Sequence, residues 1–427
     1  MMAPMEPESG FELNLPAAPG RLCTVARQPI LDLRSRVHAY KLHLRAAPAL
    51  EETGETAWQA TTAAAAFFGL QRPSELKKLT GKMPAFVSCP LEALTEELAQ
   101  ILPASLTVLE LPSIPEAAPE FIALCQQLKE FGFKFSLDAT GWTPQKMPLL
   151  DLADYVRVDF SQTTPEQRQE TLWLLRGKTI VLVAKSIDTQ ATYRRAREEG
   201  FSLFEGYFFC EPVPVRNRRP PVNQMLRLDI LRALQIDPLD LRKLADLVKR
   251  DGPLTYQLLR LVNSPLWAMR QTVESVEVAM LALGDDAIRR VATMAIASEF
   301  NGTQPAELLC MAMVRARFCE VGTIKLKRNL DHFGQYLLGL LSLMPAMQGQ
   351  PMSDIAPSLP LADEIRDALL GTANTERALL GWLEHLERGD QPGCDAAAEA
   401  DHLDQAALAK VYVDVVAWAE AALHSVG

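Results

Sequence analysis

The spacing of apolar positions changes near residue 210. Before that point, short continuous apolar runs alternate with stretches of helical period. Pro84–Ser88 (PAFVS), Leu106–Leu111 (LTVLEL), Phe133–Asp138 (FKFSLD), Tyr155–Phe160 (YVRVDF) and Thr179–Ala184 (TIVLVA) predict buried strands. Helices are predicted between them over Leu91–Leu102, Glu120–Phe131, Glu166–Arg176 and Thr189–Glu199. Strands apolar along their whole length need cover on both faces, so the alternation implies a parallel sheet wrapped by helices. The number of such units in ~200 residues favours a closed β/α barrel, with an open sheet as the alternative. After about residue 225 no strand pattern remains. Leu308, Met311, Val314, Phe318 and Val321 recur at three- and four-residue spacing, as do stripes through 365–370, 377–386 and 407–421. The fold class is therefore α/β plus all-α.

The two regimes meet in residues 210–224, CEPVPVRNRRPPVNQ, with four prolines and three arginines. Proline fits neither a helix interior nor a central strand, so this segment is expected to be the joint. The expected organisation is a tail over 1–20, a β/α barrel over 21–215 and a helical domain over 216–427. The tail is acidic and lacks the basic start and apolar core of a signal peptide.

The chain has 427 residues, of which 48% are hydrophobic and 22% charged, enough to build full-sized cores. Its net charge is −10. Residues 1–219 hold 24 Lys and Arg against 26 Asp and Glu, and residues 220–427 hold 19 against 27, so most of the excess acid lies in the helical half. That balance argues against general nucleic-acid binding, which needs a basic face, but leaves room for a local basic pocket. Seven scattered cysteines with no CxxC pair fit reduced thiols in a cytoplasmic protein. No apolar run reaches the ~18 residues of a membrane span.

The first half resembles the EAL domain, the barrel that hydrolyses the bacterial second messenger cyclic di-GMP. The resemblance rests on Arg27-Gln28-Pro29-Ile30, on Val37–Arg45 (VHAYKLHLR), on Leu137-Asp138 and on Glu205-Gly206-Tyr207-Phe208-Phe209 ahead of Pro212. The second half resembles the HDOD domain, a helical signalling module related to the HD phosphohydrolases. The carrying stretch is 241–290, LRKLADLVKRDGPLTYQLLRLVNSPLWAMRQTVESVEVAMLALGDDAIRR, with its Asn263-Ser264-Pro265 turn and its Leu283-Gly284 step. It has no histidine, and no His-Asp dipeptide occurs in the chain, so the metal ligands of an HD enzyme are missing. The order of the two parts is that of the EAL–HDOD (YuxH-like) signal transduction proteins.

In the EAL family, carboxylates and one Asn at strand ends bind two divalent cations that activate a water. Carried over residue by residue, the resemblance puts Lys41 at the glutamate of the family signature and keeps its arginine as Arg45. The Asn falls on Ser88. Glu110 and Asp138 keep their carboxylates, but the second of two adjacent aspartates is Ala139. The strand lysine is Arg157, with Asp159 two residues on. Lys185 stands at a further glutamate, and Glu205 at a late glutamine. Two hard cations need concentrated negative charge, whereas Lys41 and Lys185 bring positive charge among Glu110, Asp138 and Asp159. The expectation is therefore no metal, no cofactor and no enzymatic activity, with a charge-balanced cluster in place of a metal centre.

Three readings of the pocket stay open. The polar residues could be remnants held by ion pairs. The pocket could bind cyclic di-GMP through Gln28, Arg45 and Glu205, helped by the two added lysines. Or it could take a different ligand. The rival reading of the function is a cyclic di-GMP phosphodiesterase with a rearranged site. The resemblance implies signalling proteins as partners of the HDOD half, without nucleic acid or membrane, and allows a homodimer. In the helical half, Asn263 is read as a turn-forming amide. Arg315, Arg317 and Glu320 are read as a solvated, salt-bridged face.

Overall fold

A computed structural model describes residues 22–47, 57–90, 94–95, 97–111, 118–139, 144–213, 223–264, 267, 269 and 271–426. The expected tail and residues 214–222 of the expected joint lie outside the described residues. Eight strands close into a barrel in the order β1 to β8. They are β1 (Leu22–Asp32), β2 (Val37–Ala47), β3 (Ala85–Ser88), β4 (Thr107–Leu111), β5 (Lys134–Asp138), β6 (Tyr155–Asp159), β7 (Val181–Lys185) and β8 (Leu203–Glu205).

The sheet is not all parallel. β2 through β8 run parallel to one another, whereas β1 is antiparallel to both β2 and β8. The reason is the connection between β1 and β2. Only residues 33–36 separate the strands, and a parallel pair needs a crossover of a dozen or more residues. Asp32 holds this short turn by accepting the backbone N–H groups of Arg34 at 2.8 Å and Arg36 at 2.9 Å. The expected helix over 91–102 is shorter than its pattern suggested: among the described residues it spans Leu98–Ile101.

Side chains alternate across each strand, so every second residue points into the barrel. One interior layer is apolar: Ile30, Ala39, Phe86, Val108, Tyr155, Val183 and Leu203 pack together. Two residues further along the strands the same parity places Gln28, Lys41, Ser88, Glu110, Arg157, Lys185 and Glu205. The barrel is thus plugged below and polar at its mouth.

After residue 223 the described chain is helical. The Ala306–Lys325 helix is buried nearly all round, between the His332–Leu341 and Gln405–Val426 helices. That burial overturns the expectation of a solvated face. Arg315 is buried and its guanidinium grips Glu387, with Nε at 3.1 Å and Nη2 at 2.6 Å from Oε2. Glu320 is also buried and holds Arg317 and Arg290, each at 2.6 Å. Asn263 behaves as a turn amide: it accepts the Val273 N–H at 2.7 Å and donates to the Val273 and Leu259 carbonyls.

The last helix packs on β1 and on the Pro73–Thr80 helix, joining the two halves. A buried polar cluster lies at this seam. Arg27 of β1 donates to the Leu79 carbonyl at 2.7 Å and to Glu420 at 2.6 Å, and lies 3.5 Å from Glu307. Its guanidinium covers the Tyr40 ring, whose hydroxyl donates to Glu307 at 2.7 Å. Glu307, Cys310 and Glu420 bring ligand-type atoms within 4.8 Å of one another, but Arg27 Nη2 stands 3.2 Å from the Cys310 sulfur. The guanidinium is the cation of this cluster.

Candidate functional site at the barrel mouth

The polar mouth is built around Glu110 at the end of β4. It is 2% exposed, and its oxygens meet three groups from three other strands, β2, β3 and β6. Arg157 Nη1 lies 2.9 Å from Oε1, Lys41 Nζ 3.4 Å from Oε2, and the Ser88 hydroxyl donates to Oε2 at 2.9 Å. Burial by itself would raise this carboxyl, but Arg157 and then Lys41 hold it down at about 2. Lys41 also reaches Glu205 at 3.3 Å. Burial works against its ammonium form, yet Glu110 and Glu205 outweigh burial and raise its pKa. Lys185 pairs with Asp159 at 3.5 Å. Asp159 is further fixed by the Ser161 N–H at 2.9 Å and hydroxyl at 2.6 Å.

A cavity of about 530 Å³ opens beside this cluster, within the ~300–1,000 Å³ usual for small-molecule sites. Gln28, Lys41, Lys185 and Glu205 line it, so four of the sequence candidates share one cavity. Glu110 sits behind Lys41, and Asp159 behind Lys185. Asp138 ends β5 in register with Arg157, half-buried and outside the lining. Arg45 does not join them; it is exposed on β2 and absent from the lining. The physical reason is strand length. β2 runs on to Ala47, carrying Arg45 four residues past Lys41, or roughly 13 Å at the usual rise.

The other seven lining residues are not among the sequence candidates, and three of them matter most: His43, Tyr207 and Arg388. His43 lies two residues from Lys41 and so shares its face of β2; the period of two was signal enough to find it. Burial and then the Lys41 charge lower its pKa to about 4, so the imidazole is neutral near pH 7. Tyr207 follows β8 in the quoted Glu-Gly-Tyr-Phe-Phe run. Arg388 comes from the helical half, and no local pattern points to it.

Similarity to known proteins spans both halves of the chain. Residues 220–327 match the HDOD domain family. The chain is 27% identical over 405 residues to the uncharacterized protein YuxH of Bacillus subtilis, covering 92% of this chain and 97% of YuxH. It is 24% identical over 378 residues to the cyclic di-GMP phosphodiesterase CdgJ of Vibrio cholerae, covering 87% of this chain and 86% of CdgJ. Among solved structures, an EAL domain protein from Listeria monocytogenes aligns with 44% of this chain and 87% of its own at a TM-score of 0.34 and 16% identity. The phosphodiesterase PaMucR, solved with cyclic di-GMP, aligns with 48% and 94% at a TM-score of 0.38 and 16% identity.

The class so defined is a closed eight-stranded β/α barrel followed by a helical region that carries an HDOD domain. Over most of its length this chain is similar to YuxH and to CdgJ. One expectation from sequence is overturned here. The chain was expected not to be an enzyme, but CdgJ, similar across both halves, is a cyclic di-GMP phosphodiesterase. Missing ligands at single positions are too narrow a ground for excluding activity in such a chain. No helix among the described residues is long and apolar enough to cross a membrane.

Proposed function

We propose that this chain works in cyclic di-GMP signalling by taking the dinucleotide into the cavity at the barrel mouth. The observation that carries the reading is the pair of lysines, Lys41 and Lys185, lining a cavity of about 530 Å³. Ammonium groups in a partly enclosed cleft attract a dianionic phosphodiester. Gln28 offers an amide for a base or sugar, and Glu205 an acceptor: its Oε2 is buried without a hydrogen-bond partner. In this reading the HDOD half carries the output through contact with a signalling protein.

Phosphodiester hydrolysis is the second reading, favoured by the activity of CdgJ. The residues present do not fit the two divalent cations of the family's chemistry. Glu110 already meets Arg157, Lys41 and Ser88, and Asp159 already meets Lys185 and Ser161. Four carboxylates (Glu110, Asp138, Asp159 and Glu205) stand among three side-chain cations (Lys41, Arg157 and Lys185), which leaves too little negative charge for two hard ions.

Calorimetric titration of the full chain with cyclic di-GMP, with and without Mg²⁺, tests both readings when turnover is followed by chromatography. Binding in the micromolar range is expected, and Lys41→Ala with Lys185→Ala should weaken it. Linear dinucleotide in the eluate would establish hydrolysis. A wild-type titration without heat or retention at millimolar ligand would refute the binding reading.

A further inference from the structure

The cavity is not closed by the barrel alone. Arg388 follows the Ala378–Glu387 helix of the helical half and lines the same space as Lys41 and Lys185. Its turn is docked on the barrel. The Tyr207 hydroxyl donates to the Glu387 carbonyl. Gly389, at φ 68°, comes so near β2 that a Cβ there would lie 3.1 Å from His43 Nδ1. From behind, Arg315 clamps the Glu387 carboxylate. Arg388 is therefore presented on a backbone held from both sides.

The side chain itself is exposed and makes no hydrogen bond or ion pair with any described residue. The acidic lining does not engage it. Asp188 accepts the Tyr207 N–H at 3.1 Å, Glu211 accepts the Gln190 N–H at 2.6 Å, and Glu205 holds Lys41. An unpaired guanidinium on a fixed turn, lining the same cavity as two lysines, is a preorganised anion contact. Its planar fork suits two phosphate oxygens at once.

We propose that Arg388 completes the ligand site from the helical domain by contacting a phosphate of the barrel's ligand. The ligand then bridges the two halves, and its arrival is felt by the turn that Tyr207, His43 and Arg315 surround. The proposal rests on the reading that the cavity takes cyclic di-GMP.

The test is calorimetric titration of full-length wild type, Arg388→Ala, Arg388→Gln and Arg388→Lys with cyclic di-GMP, alongside urea unfolding of each. Loss of a charged hydrogen bond should weaken binding about tenfold or more in the Ala and Gln variants, with partial recovery in Lys. Because Arg388 is exposed and unpaired, the unfolding midpoints should match wild type. Ligand should slow amide exchange across 385–390 in wild type and not in Arg388→Ala. Wild-type affinity in both the Ala and Gln variants would overturn the role of Arg388 while leaving the cavity as the binding site. Absence of binding by the wild type itself would overturn both.

Discussion

Glu307→Gln should change how stability depends on pH, and the structure sets the size and sign. Glu307 is 3% exposed at the seam between the halves. It faces Arg27, Tyr40, Cys310 and Glu420, with Glu387 further off. Burial pushes its pKa up to about 7; Arg27 opposes this, and Glu420 adds to it as a second carboxylate competing for one guanidinium. The unfolded value is near 4.5. A raised carboxyl pKa means that between 4.5 and about 7 the native chain binds more protons than the unfolded one. Stability therefore falls as pH rises through that window and is flat above it. From about pH 5 to about pH 8 the loss from this one group is on the order of 2–3 kcal/mol. Gln keeps the shape and cannot ionise, so the stability of Glu307→Gln relative to wild type should climb by about that amount over the same range. Urea unfolding at several pH values, followed by tryptophan fluorescence, measures it; Trp382, stacked on Phe318 of the same helix as Glu307, is a buried reporter. A difference independent of pH, or one that shrinks as pH rises, would refute the reasoning.

Two further outcomes are expected. Lys41→Glu combined with Lys185→Glu puts carboxylates beside Glu110, Glu205 and Asp159 and removes two cations; divalent metal affinity, read by competition with a chromophoric chelator, should increase at least tenfold, and an unchanged value would show that charge is not what limits metal binding there. Gly206→Ala should cost about 3 kcal/mol or more in chemical unfolding, because φ is 149° and the new Cβ would fall 2.1 Å from the Ile187 carbonyl oxygen; a stability within experimental error of wild type would mean that the turn after β8 yields easily.

Local pattern along the chain accounts for the elements and for much of the chemistry of the barrel mouth. Strand and helix periods are written in near neighbours, so the alternation before residue 210 and the helical stripes after it were legible. The same period of two sends Lys41, Glu110, Lys185 and Glu205 inward, so the meeting of Lys41 with Glu110 and Glu205, and of Lys185 with Asp159, follows from parity and charge. The tertiary structure decided what depends on distance along the chain. β1 runs against both its neighbours because a four-residue turn allows nothing else. Arg315 is buried because helices from elsewhere surround it, which no local amphipathic pattern records. Arg27 and Glu420, 393 positions apart, meet only because the last helix packs against β1. Arg388 reaches the cavity for the same kind of reason: periodicity says which way a side chain points on its own element, and only packing between elements says what it will find there.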